Sequence, residues 1–439
     1  MKLREITLKN FRNFDEYHVA LGCKTTVFIG RNGMGKTNLI EGMVKALSFI
    51  FSKQKGQEQF EFIRSSGQSI QRFSATDPRF VGDDFCYPLS IHASSFLGEE
   101  EEALLDWTFE QESENSGLKD SLFRDAYLSF WEHYNSLQEK PLFAYFSDGF
   151  PHKEIRISAK MNEKLESGFP LPANTGYYQW DDERSSAELW KTYFMQEYIN
   201  NKVHPDDEKQ RFVDAVNQKL RDFCTPLTPD GTVADWSIDQ LFVQFRKFSM
   251  RLMIEFADGS IKPFETLPAG YRRMFSLLLD LICRSYLLNK STDSEGIVFI
   301  DEIDLHLHPS LAAEVLPRLQ RAFPRIQFIV STHSPMVISN ISVNQDNKIL
   351  ALRKSDGRYY NTEVADMSGI NYDFVLSAVM DAEPSNVQLQ QLKEKYLRLM
   401  RRDKVDLADN TLQAIRGMLS ATRFEQVKNE LTQKLEEEV

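Results

Sequence analysis

Residues 27–38 read VFIGRNGMGKTN, and the rest of the chain is organised around this stretch. A short β-forming run ends at Phe28 and Ile29, then comes Gly30-Arg31-Asn32-Gly33-Met34-Gly35-Lys36-Thr37, and a helical pattern begins near Lys36. Glycines let a backbone turn tightly and aim its N–H groups at a polyphosphate, and a helix N-terminus behind them adds its dipole to the cradle. In such a loop Lys36 reaches the β- and γ-phosphates and the Thr37 hydroxyl holds Mg²⁺. Gly30, Gly33 and Gly35, with Asn32 and Asn38, complete the candidate contacts. The pattern alone occurs by chance, so the strand before it and the helix after it carry the reading.

A second pattern lies far downstream. Gly296-Ile297-Val298-Phe299-Ile300 is an all-apolar β run that ends in Asp301-Glu302. Such a run is a strand buried on both faces of a parallel sheet, and ligands bind at its C-terminal edge. Asp301 is expected to hold Mg²⁺ through water, and Glu302 to orient or deprotonate an attacking water. A further buried strand, 327–330, leads to Ser331-Thr332-His333-Ser334-Pro335. Between the two patterns, Leu267-Pro268-Ala269-Gly270-Tyr271-Arg272-Arg273 opens a strongly apolar helix, where the Gly270 amide and the helix dipole suit a phosphate. His306 and His308 stand near Asp301 and Asp304, a spacing that also admits a metal site.

Composition sets bounds on this reading. The chain has 439 residues, 42% hydrophobic and 26% charged, with a net charge of −12. That length suggests two or three domains, and the charge argues against a protein that coats nucleic acid non-specifically. One compact basic cluster, Arg398, Arg401, Arg402 and Lys404, reads either as a solvated helix face or as a phosphate-contacting patch. Lys2, Arg4 and Glu5 interrupt any signal-like start, and no apolar run approaches the length of a membrane span. The four scattered cysteines contain no CxxC pair, so a reduced, cytoplasmic protein without membrane contact is expected.

Several segments give coarser expectations. Residues 52–75 read as an exposed polar excursion, and 84–112 as two strands around an acidic turn. Residues 117–137 read as a helix with Leu122, Ala126, Leu128 and Phe130 on its apolar face. Helices are expected over 186–200 and 207–223. Tyr177, Tyr178, Trp180, Trp190, Tyr193, Phe194 and Tyr198 nearby read as the core of a helical lobe in preference to a base-stacking platform. After residue 365 three short amphipathic helices are expected.

The opening, a strand followed by Asn10-Phe11-Arg12, a second strand and then GxNGxGKT, resembles ABC-type ATPases of the SMC, RecF and OLD group. The order LPAGYRR, IVFIDEIDLHLHP, STHSP and a helical tail is similar to the ATPase subunit of Septu-type anti-phage defence, also found beside some retrons. The resemblance implies an α/β fold: an ABC-type P-loop ATPase head, a mixed sheet with an antiparallel lobe, carrying a helical insertion and a small all-helical C-terminal tail. On that pattern 1–150 and 251–365 are the two lobes of the head, 151–250 the mainly helical insertion and 366–439 the tail.

The ligands so implied are ATP and Mg²⁺, with Glu302 and His333 as catalytic residues and Thr37 and Asp301 at the metal. Gly270 in the signature position and Asp304 in the D-loop act across a homodimer or higher homo-oligomer. Pro268 departs from the family's serine, leaving the glycine amide as the signature contact. Arg12 is a candidate neighbour of the nucleotide, and Gln68, Gln71 and Gln111 are open candidates for the nucleotide-sensing glutamine. The sequence after 365 lacks the sheet a TOPRIM nuclease requires, so the implied effector is a separately encoded nuclease, HNH-type in Septu systems, with nucleic acid a further candidate partner. The alternative is a RecF-like DNA-repair ATPase that binds DNA as an ATP-gated dimer.

Overall fold

The computed structural model describes residues 1–54, 59–98, 103–151, 157, 159–166, 170–182, 186–227, 236–246, 249–367, 387–402, 404–418, 424, 427–429 and 431–432. Two compact units emerge, Met1–Val375 and Leu376–Val439.

The first unit opens with β1 (Lys2–Phe11), β2 (Phe14–Ala20) and β3 (Thr25–Ile29), then the loop and α1 (Lys36–Leu47). Next come α2 (Gln59–Ser66), the small hairpin β4 (Phe80–Val81) and β5 (Asp84–Phe85), the long strands β6 (Leu89–Leu97) and β7 (Ala103–Gln111), α3 (Arg124–Ser136) and β8 (Leu142–Phe146). Helices α4 (Ala159–Glu166), α5 (Ala187–Val203) and α6 (Asp207–Cys224) precede β9 (Ile238–Arg246), β10 (Ser249–Phe256) and β11 (Ile261–Pro263). The long α7 (Ala269–Asn289) leads to β12 (Gly296–Ile300), α8 (Pro309–Ala322), β13 (Ile326–Ser331), α9 (Pro335–Ile338), β14 (Asn347–Ser355) and β15 (Arg358–Glu363).

A six-stranded sheet in the order β15-β14-β3-β13-β12-β8 forms the centre. All its neighbouring pairs are parallel except β14 with β15. Every residue of β3, β8, β12 and β13 is buried, as strands covered on both faces require, including the polar Thr25, Thr26, Gln327 and Ser331. The register aligns Ser331 with Phe28 and Ile300 with Val330, so the ends of β3, β12 and β13 reach one edge together. A four-stranded antiparallel sheet, β2-β1-β6-β7, lies beside it. Trp107 Nε1 donates to Ala46 O at 2.9 Å and Trp131 Nε1 to Ile50 O at 3.0 Å, which ties that layer and α3 to the end of α1.

Residues 151–250 fold into this same unit. Trp180, Trp190, Tyr177 and Phe194 are almost wholly buried, and Tyr193 is 6% exposed, which is core behaviour for the dense aromatics. The Arg284 guanidinium of α7 lies over the Trp190 ring, pairs with Asp280, and donates to Gly176 O at 2.9 Å, Tyr178 O at 3.0 Å and Ser186 Oγ at 2.9 Å. Ser186 Oγ in turn donates to Asp280 Oδ2 at 2.7 Å, so a buried charge pair is satisfied on every side and fastens the insertion to α7. Helix α6 buries Phe212, Val213, Val216, Leu220 and Phe223 on one stripe. Its N-cap, Asp206, accepts from Glu208 N at 2.7 Å, a cap worth about 1 kcal/mol.

The structure differs from the sequence reading in two places. The polar excursion contains α2, anchored by the buried Ile63 and by Phe62 packing edge-on to Trp131 and Tyr177, a face too short to register as a period. The helix read from 117 begins at Arg124, after a single tight turn at Asp120–Leu122. Its buried stripe is Ala126, Tyr127, Phe130, Trp131 and Tyr134, whereas Leu122 and Leu128 are exposed, because the large aromatics outweigh the leucines in area removed from water.

The second unit contains helices Val387–Met400 and Val405–Met418. Ile415, Phe424, Val427 and Leu431 form its core, with Leu392, Tyr396, Leu397 and Leu412 packed against them. These residues of the three apolar faces cover one another, whereas Leu407 is exposed. Arg398, Arg401, Arg402 and Lys404 are exposed, while Leu435 and the end of the third expected helix lie outside the described residues.

Candidate nucleotide-binding site

A cleft of about 290 Å³ opens at the sheet edge where β3, β12 and β13 end, lined by Asn32, Gly33, Gly35, Lys36, Thr37, Asn38, Asp301, Glu302 and His333. Gly35 occupies the left-handed N-cap of α1 at φ 94, and a Cβ there would stand 2.4 Å from Asn13 Nδ2, so only glycine fits. Asn13 also donates to Met34 O at 3.3 Å and accepts from Asn38 Nδ2 at 2.8 Å, which braces the loop from behind. Arg12 donates to Asn38 Oδ1 at 3.0 Å and to Asp77 Oδ1 at 3.1 Å and pairs with Glu41. It thus supports the first turn of α1 without lining the cleft.

Lys36 Nζ donates to Gly30 O at 2.9 Å and Arg31 O at 3.3 Å. Burial pulls its pKa down to about 8, while Asp301, Glu302 and Asp304 pull the other way. Thr37 Oγ1 donates to Asp301 Oδ2 at 2.7 Å. This hydroxyl–carboxylate pair, opening on a phosphate-sized cleft, is the oxygen donor set a hard cation takes, so the residues present fit Mg²⁺.

Three consecutive residues at the end of β13 hold the acids. Ser331 Oγ donates to Asp301 and accepts from Glu302 N at 2.9 Å. Thr332 Oγ1 donates to Asp304, and His333 Nε2 stands 3.9 Å from Glu302 Oε1. Burial and repulsion from Asp301, Asp148 and Asp304 hold the Glu302 carboxyl above its ordinary range. Burial and Lys36 hold His333 below its own, so the ring is biased toward the neutral form. Glu302 also sits at φ 50, a left-handed conformation that a non-glycine residue keeps only where its surroundings enforce it.

Gly270 and Asp304 do not line this chain's cleft. Gly270 lies in the first turn of α7, where a Cβ would meet His306 O at 2.3 Å, and Asp304 lies in the turn after β12. His308 caps α8 through Ser310, and no cluster of three metal-ligating side chains exists among the described residues. None of the candidate glutamines reaches the cleft: Gln71 bonds Asp181, Gln111 bonds its own loop, and Gln68 is buried elsewhere. Sequence reasoning gave no role to Asn13, Ser331 or Thr332; the hydroxyls ahead of His333 at a strand end were the available signal. No helix among the described residues is long and apolar enough to cross a membrane.

A buried strand, a glycine loop bracing a lysine and a threonine at a helix start, and an acid pair at the end of a second parallel strand of the same sheet define a P-loop nucleotide hydrolase. The chain belongs to the AAA ATPase domain family, which its residues 1–338 match. It is 26% identical to "Retron Vc95 probable ATPase" of Vibrio cholerae serotype O1 biovar El Tor, over 92% of this chain and 85% of that one. It is 30% identical to the Septu protein PtuA of Bacillus mycoides (strain KBAB4), over 37% of this chain and 23% of that one. Among solved structures it is similar to the SMC head domain from Thermotoga maritima, at 15% identity and a TM-score of 0.42, covering 83% of this chain and 99% of that chain.

Proposed function

We propose that this chain binds and slowly hydrolyses ATP as the regulatory subunit of a bacterial anti-phage defence complex that controls a separately encoded nuclease. The observation that supports an ATPase is the single cleft in which Lys36, Thr37, Asp301, Glu302 and His333 lie together. The defence role is supported by the similarity to the retron and Septu proteins.

In this reading Lys36 exchanges the Gly30 and Arg31 carbonyls for β- and γ-phosphate oxygens, and the loop amides hold the remaining charge. The Thr37 hydroxyl and Asp301 would hold Mg²⁺, which would supply charge neutralisation for the phosphates. Glu302 accepts a hydrogen bond from the attacking water and takes its proton as the bond between the γ-phosphorus and the bridging oxygen of ADP breaks. His333 orients toward the γ-phosphate from just beyond β13, the strand that lies between β3 and β12. Gly270 and Asp304, which lie outside the chain's own cleft, act on the nucleotide of a second copy in a head-to-tail pair.

The helical unit after residue 375 is the candidate docking element for the nuclease, with Leu407 exposed at 52% and Arg398, Arg401, Arg402 and Lys404 exposed as well. Co-purification with the product of the neighbouring gene tests the regulatory half of the reading. The full chain should retain that product, and a chain ending at Val375 should bind ATP equally well and lose it. Retention by the shortened chain would remove the docking role, and absence of any partner from the full chain would remove the regulatory reading.

A further inference from the structure

Arg273 lies in the second turn of α7 and is only 2% exposed. Its guanidinium donates to Phe150 O at 2.6 Å, Asp148 O at 3.2 Å, Asp301 O at 2.8 Å and Glu302 O at 3.2 Å. A planar fork of donors reaches four carbonyls on two segments at once, which the single ammonium of a lysine cannot do. All four acceptors are main-chain atoms, so Arg273 holds the backbone of the acid pair and bonds neither carboxylate.

Three residues earlier, Gly270 presses on the other end of the same turn. A Cβ there would lie 2.3 Å from His306 O and 3.2 Å from Leu307 Cα. The turn between these two clamps is itself closed by Leu305 N to Glu302 O at 3.0 Å and Leu307 N to Asp304 O at 3.0 Å. It is joined to β13 by Ile303 N to Ser331 O at 3.0 Å. The turn is thus held at one end by Arg273 and at the other by its close contact with Gly270.

We propose that Arg273 is a positioning residue that makes the turn 301–307 and the start of α7 move as one body. Occupancy of a chain's own cleft thereby sets the position of the Gly270 amide it presents to a second copy. The inference rests on the nucleotide-site reading above and adds how the two half-sites of one chain are linked.

Hydrogen exchange of the full chain, at a concentration where light scattering reports a monomer, tests this with Mg–ATP as the probe. Peptides spanning 30–38, 301–307 and 268–276 should all exchange more slowly, by about threefold or more, when ATP is added. In Arg273→Lys the first two should still respond and 268–276 should not. Protection of 30–38 and 301–307 without any change at 268–276 in the parent protein would overturn the inference alone, as would a full response in Arg273→Lys. No protection at 30–38 in the parent would overturn the nucleotide site and the inference with it. The parent's own pattern decides the matter if the lysine variant does not fold.

Discussion

The hydroxyl of Thr37 donates a 2.7 Å hydrogen bond to the carboxylate of Asp301, joining residues 264 positions apart at the mouth of one cleft. In the proposed function these are the two side chains that would hold Mg²⁺. Thr37→Val and Asp301→Asn should each weaken Mg²⁺-dependent ATP binding by about tenfold or more, with little effect on binding measured in EDTA. Equal losses with and without Mg²⁺, read by isothermal titration, would assign the pair a structural role only.

Two glycines of the same loop should respond differently to alanine. Gly35 has a positive φ and its Cβ site is filled by Asn13, whereas Gly33 has a positive φ but nothing within 4 Å of its Cβ. Gly33→Ala should cost about 1 kcal/mol of stability, and Gly35→Ala about 2–4 kcal/mol with loss of ATP binding. Thermal denaturation beside an ATP titration measures both; equal effects would contradict the steric argument.

Burial pushes the Asp181 carboxyl up to about 6 from its ordinary 3.8, against a 2.7 Å hydrogen bond from Gln71 Nε2 that pulls it down. The folded state binds this proton more tightly than the unfolded state, so the contribution favours folding at low pH and is lost as pH rises from about 4 to about 6. Asp181→Asn keeps an acceptor for Gln71 and removes the charge. It should be more stable than the parent at pH 7.5 by about 1–2 kcal/mol, with the gap closing as pH falls from about 6 to about 4. Parallel stability curves for the two proteins would refute the assignment.

The pair Asp280 and Arg284 should show the asymmetry of a buried ion pair. Removing one partner, as in Arg284→Leu, leaves an uncompensated carboxylate and should cost about 3–5 kcal/mol. Asp280→Leu with Arg284→Leu should recover part of that loss. Additive losses in urea denaturation would mean that the bonds to Gly176, Tyr178 and Ser186 dominate over the pair itself.

Much of this was legible in the sequence because buried parallel strands leave short β-forming apolar stretches, and the groups that follow β3 and β12 are the ones that meet in the cleft. Boundaries and faces were harder to read. Leu122 and Leu128 look like core by hydropathy, yet Tyr127 and Trp131 take the buried positions, and sequence spacing alone does not rank aromatic against aliphatic area. The roles of Ser331, Thr332 and Arg273 depend on partners that the sheet order brings together from distant segments. A serine at a strand end or an arginine in a helix carries no local sign of such partners. The tail's apolar stripes were legible as stripes, but only packing shows that Leu392, Tyr396, Leu397, Leu412, Ile415, Phe424, Val427 and Leu431 meet in one core.

Glu302 carries the central claim, and nucleotide retention after gel filtration with Mg–ATP tests it most directly. Glu302→Gln should keep bound ATP, unhydrolysed, while the parent releases ADP and Lys36→Ala retains no nucleotide. A Glu302→Gln protein that turns over ATP at the parent's rate, or a Lys36→Ala protein that retains it, would contradict the account.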